Sequence, residues 1–118
     1  MKRPLAYIIT SAWSGNRDRD TKRAAQFCRS VYEAGFSPIC PMLYLPLFLN
    51  DAIPEEHKSG VDIGRDFLRR SHVVVVCGNG MDEDVKNDIA TAKRLNITAT
   101  TLDGIMTVQK QGRVKPGD

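Results

Sequence analysis

Four apolar runs alternate with three stretches of helical periodicity along the chain. The runs are Leu5-Ala6-Tyr7-Ile8-Ile9-Thr10, Phe36 to Cys40, His72-Val73-Val74-Val75-Val76-Cys77, and Ile97 to Leu102. The first and third are apolar at successive positions, which suits strands covered on both faces of a parallel sheet. Between them, Asp20 to Ala34 places Ala24, Phe27, Cys28, Val31 and Tyr32 on one helical face, with Gly35 as terminator. Ser59 to Ser71 predicts a second helix with Val61, Gly64, Phe67 and Leu68 toward the sheet and Arg65, Arg69 and Arg70 toward water. Asp82 to Leu95 predicts a third, opened by an Asp82-Glu83-Asp84 cap and first-turn acids, with Val85, Ile89, Ala92 and Leu95 inward and Asn96 ending it in the left-handed conformation. This alternation predicts an α/β fold: a small parallel sheet of four or five strands, helices on both faces, right-handed crossovers, and ligand binding at the carboxyl ends of the strands.

One polar residue breaks the third helix's apolar stripe. Turning by roughly 100° per residue, Asp88 projects between Ala92 and Leu95, away from the solvated Lys86, Lys93 and Arg94. A carboxylate there is costly to desolvate unless something pairs with it, which makes Asp88 the catalytic candidate. An edge position reaching water, or capping a neighbouring loop, is the equally weighted structural alternative.

Three loops fall at the expected binding edge. Ser11-Ala12-Trp13-Ser14-Gly15-Asn16-Arg17 offers hydroxyls, backbone N–H groups and a helix start to a phosphate or a sugar, a composition that ordinary βα turns share; Asp18 and Asp20 would repel a phosphate placed too near. Gly78-Asn79-Gly80-Met81 places glycines where the backbone must turn sharply or approach something closely. Pro41 to Asp51 is strongly apolar with two prolines, so it builds a pocket wall or covers the sheet edge. Tyr44 and Phe48 in it suit stacking on a base, and equally a satellite core or a dimer contact. Ile53 to Lys58 reads as a polar connector with His57 as a surface histidine, and His72 as a structural residue at the mouth of its strand.

Composition narrows the picture only slightly. Seventeen basic against fourteen acidic residues give a formal charge of +3 in 118 residues, too weak and scattered to argue for nucleic acid, though compatible with an anionic small ligand. Cys28, Cys40 and Cys77 are odd in number and lie in apolar segments, as reduced thiols of a cytoplasmic protein do, without the spacing of a zinc site. No apolar run has the length of a signal peptide or a membrane span.

Taken together, Tyr7-Ile8-Ile9-Thr10-Ser11 through Ser14-Gly15-Asn16, Pro41-Met42-Leu43-Tyr44, Phe48-Leu49-Asn50-Asp51, Pro54-Glu55-Glu56, Gly60, Gly64 and the Gly78 to Ala92 unit resemble the nucleoside 2-deoxyribosyltransferase-like superfamily, in particular a branch of small bacterial and phage domains. The resemblance runs to about Leu102 and implies a flavodoxin-like (Rossmann-like) domain over residues 1–104; beyond it residues 105–118, polar and without periodicity, read as a flexible tail. It also implies a nucleoside or nucleotide pocket, with no cofactor and no metal. In catalytic relatives a carboxylate, commonly Glu, attacks the anomeric carbon of a deoxyribose, the base leaves, and the glycosyl-enzyme passes to another base or to water. Asp88 stands at the matching position, one methylene shorter, and Gly80-Met81-Asp82-Glu83-Asp84-Val85 replaces the superfamily's Ser-x-Gly-Met element. The implied ligand contacts are Ser11, Trp13, Ser14, Gly15, Asn16 and Arg17 at the sugar or 5′-phosphate, Met42, Tyr44 and Phe48 near the base, and Gly78, Gly80 and Met81 at the pocket mouth. Two functional classes follow: an N-glycosidase or 2′-deoxyribosyltransferase, or a non-catalytic nucleotide-binding sensor or sequestering module. The apolar Tyr44 to Phe48 surface additionally makes a homo-oligomer plausible.

Overall fold

β1 (Leu5–Thr10) and β3 (Val73–Cys77) lie side by side at the centre of a parallel sheet, registered Ala6 to Val73 through Thr10 to Cys77. The computed structural model describes residues 3–11, 17–78 and 80–113, with the side chains of Arg17 and residues 109–113 outside that description. β2 (Ser37–Ile39) flanks β1 and β4 (Thr98–Thr101) flanks β3, giving the order β2-β1-β3-β4 of a small flavodoxin-like fold. The chain leaves β1 first toward β2 and then crosses back to β3, so the strand order reverses beside β1. A crevice opens there at the carboxyl edge.

Each face of the sheet has its own core. α1 (Arg17–Glu33) and α4 (Leu102–Arg113) cover one, where Ala6, Ile8, Val73, Val75 and Cys77 meet Ala24, Val31, Phe27, Leu102 and Ile105. α2 (Pro54–Arg70) and α3 (Glu83–Arg94) cover the other, where Tyr7, Ile9 and Val74 meet Leu68, Val85 and Ala92. The predicted terminators hold: Gly35 has φ +101 and Asn96 φ +59. Asp82 caps α3, its carboxylate accepting from the Val85 N–H at 3.0 Å. His72 is structural, its Nδ1 accepting from the Leu5 N–H at 2.9 Å.

Several boundaries and faces differ from expectation. α1 begins at Arg17, three residues before Asp20. The stretch taken as a polar connector is instead the first turn of α2, since Pro54 preorganises the first helical position and Glu55 and Glu56 face the positive helix end. Residues 105–113 are helical, not an irregular tail: the Thr101 hydroxyl accepts from the Gly104 N–H at 3.0 Å as a cap, and Leu102 and Ile105 dock on the core. Leu95, expected inside, is 44% exposed because it lies past the last turn of α3; Tyr32, also expected inside, is exposed with Arg3 and Arg29 over its ring, and Val61 lines a cleft and does not pack on the sheet.

Among the described residues no helix is long and apolar enough to cross a membrane. Cys28, Cys40 and Cys77 are free thiols, the last two buried.

Candidate functional site

A cleft of about 610 Å³ opens where β1 and β2 end, within the range of small-molecule sites. Its floor is the carboxyl half of β1, Tyr7 to Thr10. The proline-bounded segment forms one wall, because Pro41–Leu43 and Leu45–Leu47 wind into two short 3-10 turns that set Met42, Leu45, Pro46 and Leu49 against the opening. α2 forms the opposite wall with Glu56, His57, Gly60, Val61, Gly64 and Arg65, and α3 contributes Asp84, Asn87 and Asp88.

Asp88 is half-buried, as its place inside the apolar stripe predicts. Its carboxyl is pushed up from 3.8 to about 6, first by burial and then by the neighbouring Asp84 charge, against a smaller opposing pull from Arg65. The group therefore ionises near neutrality, within reach of solvent and ligand. Tyr7 lies close by: burial and the Asp88 charge both raise its phenol. Gly64 makes room for that hydroxyl, since a Cβ there would lie 2.9 Å from Tyr7 Oη. At the end of β1 the Thr10 hydroxyl oxygen is buried and has no hydrogen-bond partner among the described residues. An unsatisfied hydroxyl costs about 1–3 kcal/mol.

The structure gathers some of the expected contacts and separates others. Asp88 and Met42 line the cleft. Tyr44 and Phe48 do not; their rings stack on each other at 6.1 Å, and Tyr44 meets Phe67 edge-on. Met81 is 55% exposed. Ser11 does not line the cleft; its hydroxyl accepts from Arg23 at 3.4 Å. Trp13, Ser14, Gly15, Asn16 and the Arg17 side chain lie outside the described residues.

The two glycines after β3 serve the backbone. Gly78 has φ +81, and Gly80 lies so close to Ser11 that a methyl group on it would overlap the Ser11 side chain. Gly80→Ala therefore has to pry apart the exit loops of β1 and β3. It is expected to destabilise by about 1–3 kcal/mol, read as a fall in the urea midpoint at unchanged slope.

Periodicity alone missed Tyr7, Thr10, Asp20, Asp51, His57 and Arg65, all of which line the cleft. Asp20 is 4% exposed in the first turns of α1. For Arg65 and His57 a signal was available: on a helix begun at Pro54, residues 57, 60, 61, 64, 65 and 68 share one side. Among the described residues, no group of three His, Cys, Asp or Glu side chains could hold a metal ion.

Fold and cleft together define a small parallel α/β domain with a ligand-sized crevice at its topological switch point. Residues 4–102 match a family described as a domain of unknown function (DUF7768), and the chain belongs to that family. A comparison with the curated proteins finds no match.

Proposed function

We propose that the chain binds a nucleoside or its monophosphate in this cleft and cleaves or transfers the N-glycosidic bond, with the Asp88 carboxylate as nucleophile. The observation that carries the reading is Asp88 itself: a carboxyl held near pH 6 by partial burial, in a cavity of about 610 Å³, at the position where the superfamily that the sequence resembles keeps its nucleophile. Attack on the anomeric carbon forms a glycosyl ester as the base departs with the bond's electron pair. Water or a second base then reverses the step and frees the carboxylate. The three thiols suit a reducing cytoplasm as the working compartment.

The assay is direct. The protein is incubated with the common deoxynucleosides and their 5′-monophosphates, and free base is followed by chromatography. Base release that Asp88→Asn abolishes supports the enzyme. Saturable binding without turnover, unchanged in Asp88→Asn, favours the second reading, a nucleotide-binding module, for which the shorter acidic side chain is the argument. Neither binding nor release overturns both.

We also propose self-association beside the cleft, where Leu47 is 84% and Phe48 60% exposed. The expected result is a dimer by light scattering that Leu47→Asp converts to monomer; a wild-type monomer at high concentration would refute it.

A further inference from the structure

His57 and Asp51 form a hydrogen-bonded pair, Nδ1 to Oδ1 at 2.6 Å, and both line the cleft. The pair is held from both sides. The Asn50 N–H donates to Glu56 at 3.0 Å and the Ala52 N–H to Asn50 Oδ1 at 3.0 Å, fixing the residues that flank Asp51. With Nδ1 engaged, Nε2 is the ring nitrogen left for a ligand.

The pair stands nearer the start of α2 than the groups beside the nucleophile, with Asp84 close enough to act on both His57 and Asp88. Arg65, whose charge acts on Asp88, and Gly64, against which the Tyr7 hydroxyl sits, mark the Asp88 end of α2. His57 lies two helical turns earlier, roughly 10–12 Å along the axis. Between them, Gly60 leaves room for the methyl groups of Leu45 and Leu49, which a Cβ there would meet at 3.7–3.8 Å, and with Val61 they make this stretch of the cleft apolar. A nucleoside with its sugar at Asp88 and its heterocycle laid along this apolar stretch brings the base toward His57.

We propose that His57, oriented by Asp51, is the general acid that protonates the departing base while Asp88 attacks the sugar. This rests on the glycosidic reading above. As the Asp88 oxygen bonds to the anomeric carbon, the C–N electron pair moves into the base and the His57 Nε2 proton passes to a base ring nitrogen. In the second half, neutral His57 takes the proton of the incoming water or acceptor, and the ester bond to Asp88 breaks. The surrounding charges favour the protonated imidazole: Asp51 in the loop and Glu56 on the same helix line the cleft with it, and Asp84 from α3, which also acts on Asp88, adds to them. The Asp51 hydrogen bond and charge, with a smaller contribution from Asp84, raise the imidazole above its ordinary value.

The test compares two leaving groups. With a deoxynucleoside, His57→Gln keeps a donor but cannot hand over a proton, and kcat is expected to fall about a hundredfold or more with KM nearly unchanged. The wild-type rate is bell-shaped in pH, and the alkaline limb vanishes in His57→Gln. With 4-nitrophenyl 2-deoxyriboside, whose phenolate leaves without a proton, the variant recovers to within a few-fold of wild type. Asp51→Asn lowers the deoxynucleoside rate less and moves the alkaline limb to lower pH. Equal rates for His57→Gln and wild type, or equal losses on both substrates, overturn this proposal and leave the Asp88 reading standing. No base release by the wild-type protein overturns both. Both side chains are more than half exposed, so the variants are expected to fold normally.

Discussion

Asp88→Asn is expected to abolish base release and, at pH 7, to make the protein more stable. The carboxyl ionises at 3.8 in an unhindered setting and at about 6 in the fold. Below about pH 4 both the folded and the unfolded chain hold the proton, and Asp88 has no effect on the difference between them. As pH rises from 4 to 6 the unfolded chain releases its proton while the folded one retains it, so wild-type stability falls across this window. Above 6 the folded protein carries a partly desolvated charge. Undiscounted, that penalty is about 3 kcal/mol, and residual solvent exposure reduces it to about 1–2 kcal/mol. Asparagine has no charge to desolvate. Thermal melts of the two proteins should therefore coincide near pH 4 and separate by several degrees at pH 7, with the variant higher. A variant that melts below wild type at pH 7 would place the carboxylate in stabilising contacts and deprive the site of its strain. Gained stability with lost turnover is the pattern expected of a residue kept for chemistry.

Leu68→Ala should produce the largest loss of stability. Leu68 is fully buried on α2 and packs with Tyr7, Ile9, Val74, Val85 and Ala92, the cluster that fastens α2 and α3 to the sheet. Deleting three carbons from such a site costs about 2–5 kcal/mol, transfer and cavity together. Against a total of about 5–15 kcal/mol for a domain of this kind, that is a large share. The melting temperature should drop by roughly 10–20 °C, with the urea slope unchanged. Gly64, one turn away, carries the Tyr7 hydroxyl and the cleft wall, so ligand affinity should fall as well. A loss below about 1 kcal/mol would mean that α2 is not seated as described.

The architecture was readable because its signals are repeated. Val73 to Cys77 is apolar at every position, and Asp82, Gly35 and Asn96 mark helix ends by backbone chemistry that needs no tertiary partner. Asp88 was legible for a related reason: one charged residue inside an otherwise apolar stripe is a local contradiction. His57 was not. Its significance depends on a loop folding back so that Asp51 reaches it, and no periodicity encodes that pairing. Tyr44 and Phe48 have the composition of base-stacking residues, but the 3-10 turns rotate them away and give the wall to Met42, Leu45 and Leu49. The start of α4 was obscured because Thr101 both ends a strand and caps a helix, leaving no loop to announce the change.

The short outer strand has a consequence for how copies of this domain can meet. The Ser37 N–H is directed inward to the Pro4 carbonyl at 2.8 Å. Successive amides alternate sides along a strand, so the next nitrogen, that of Pro38, faces outward and carries no hydrogen. Over Ser37–Ile39 that margin of the sheet offers the Pro38 carbonyl but no donor to an approaching chain. Lateral β-pairing is confined to the opposite margin, at Thr98–Thr101. With a single adhesive border, two molecules joined through it have none left, and growth by strand addition halts at the pair where a two-bordered sheet would run on into a fibre.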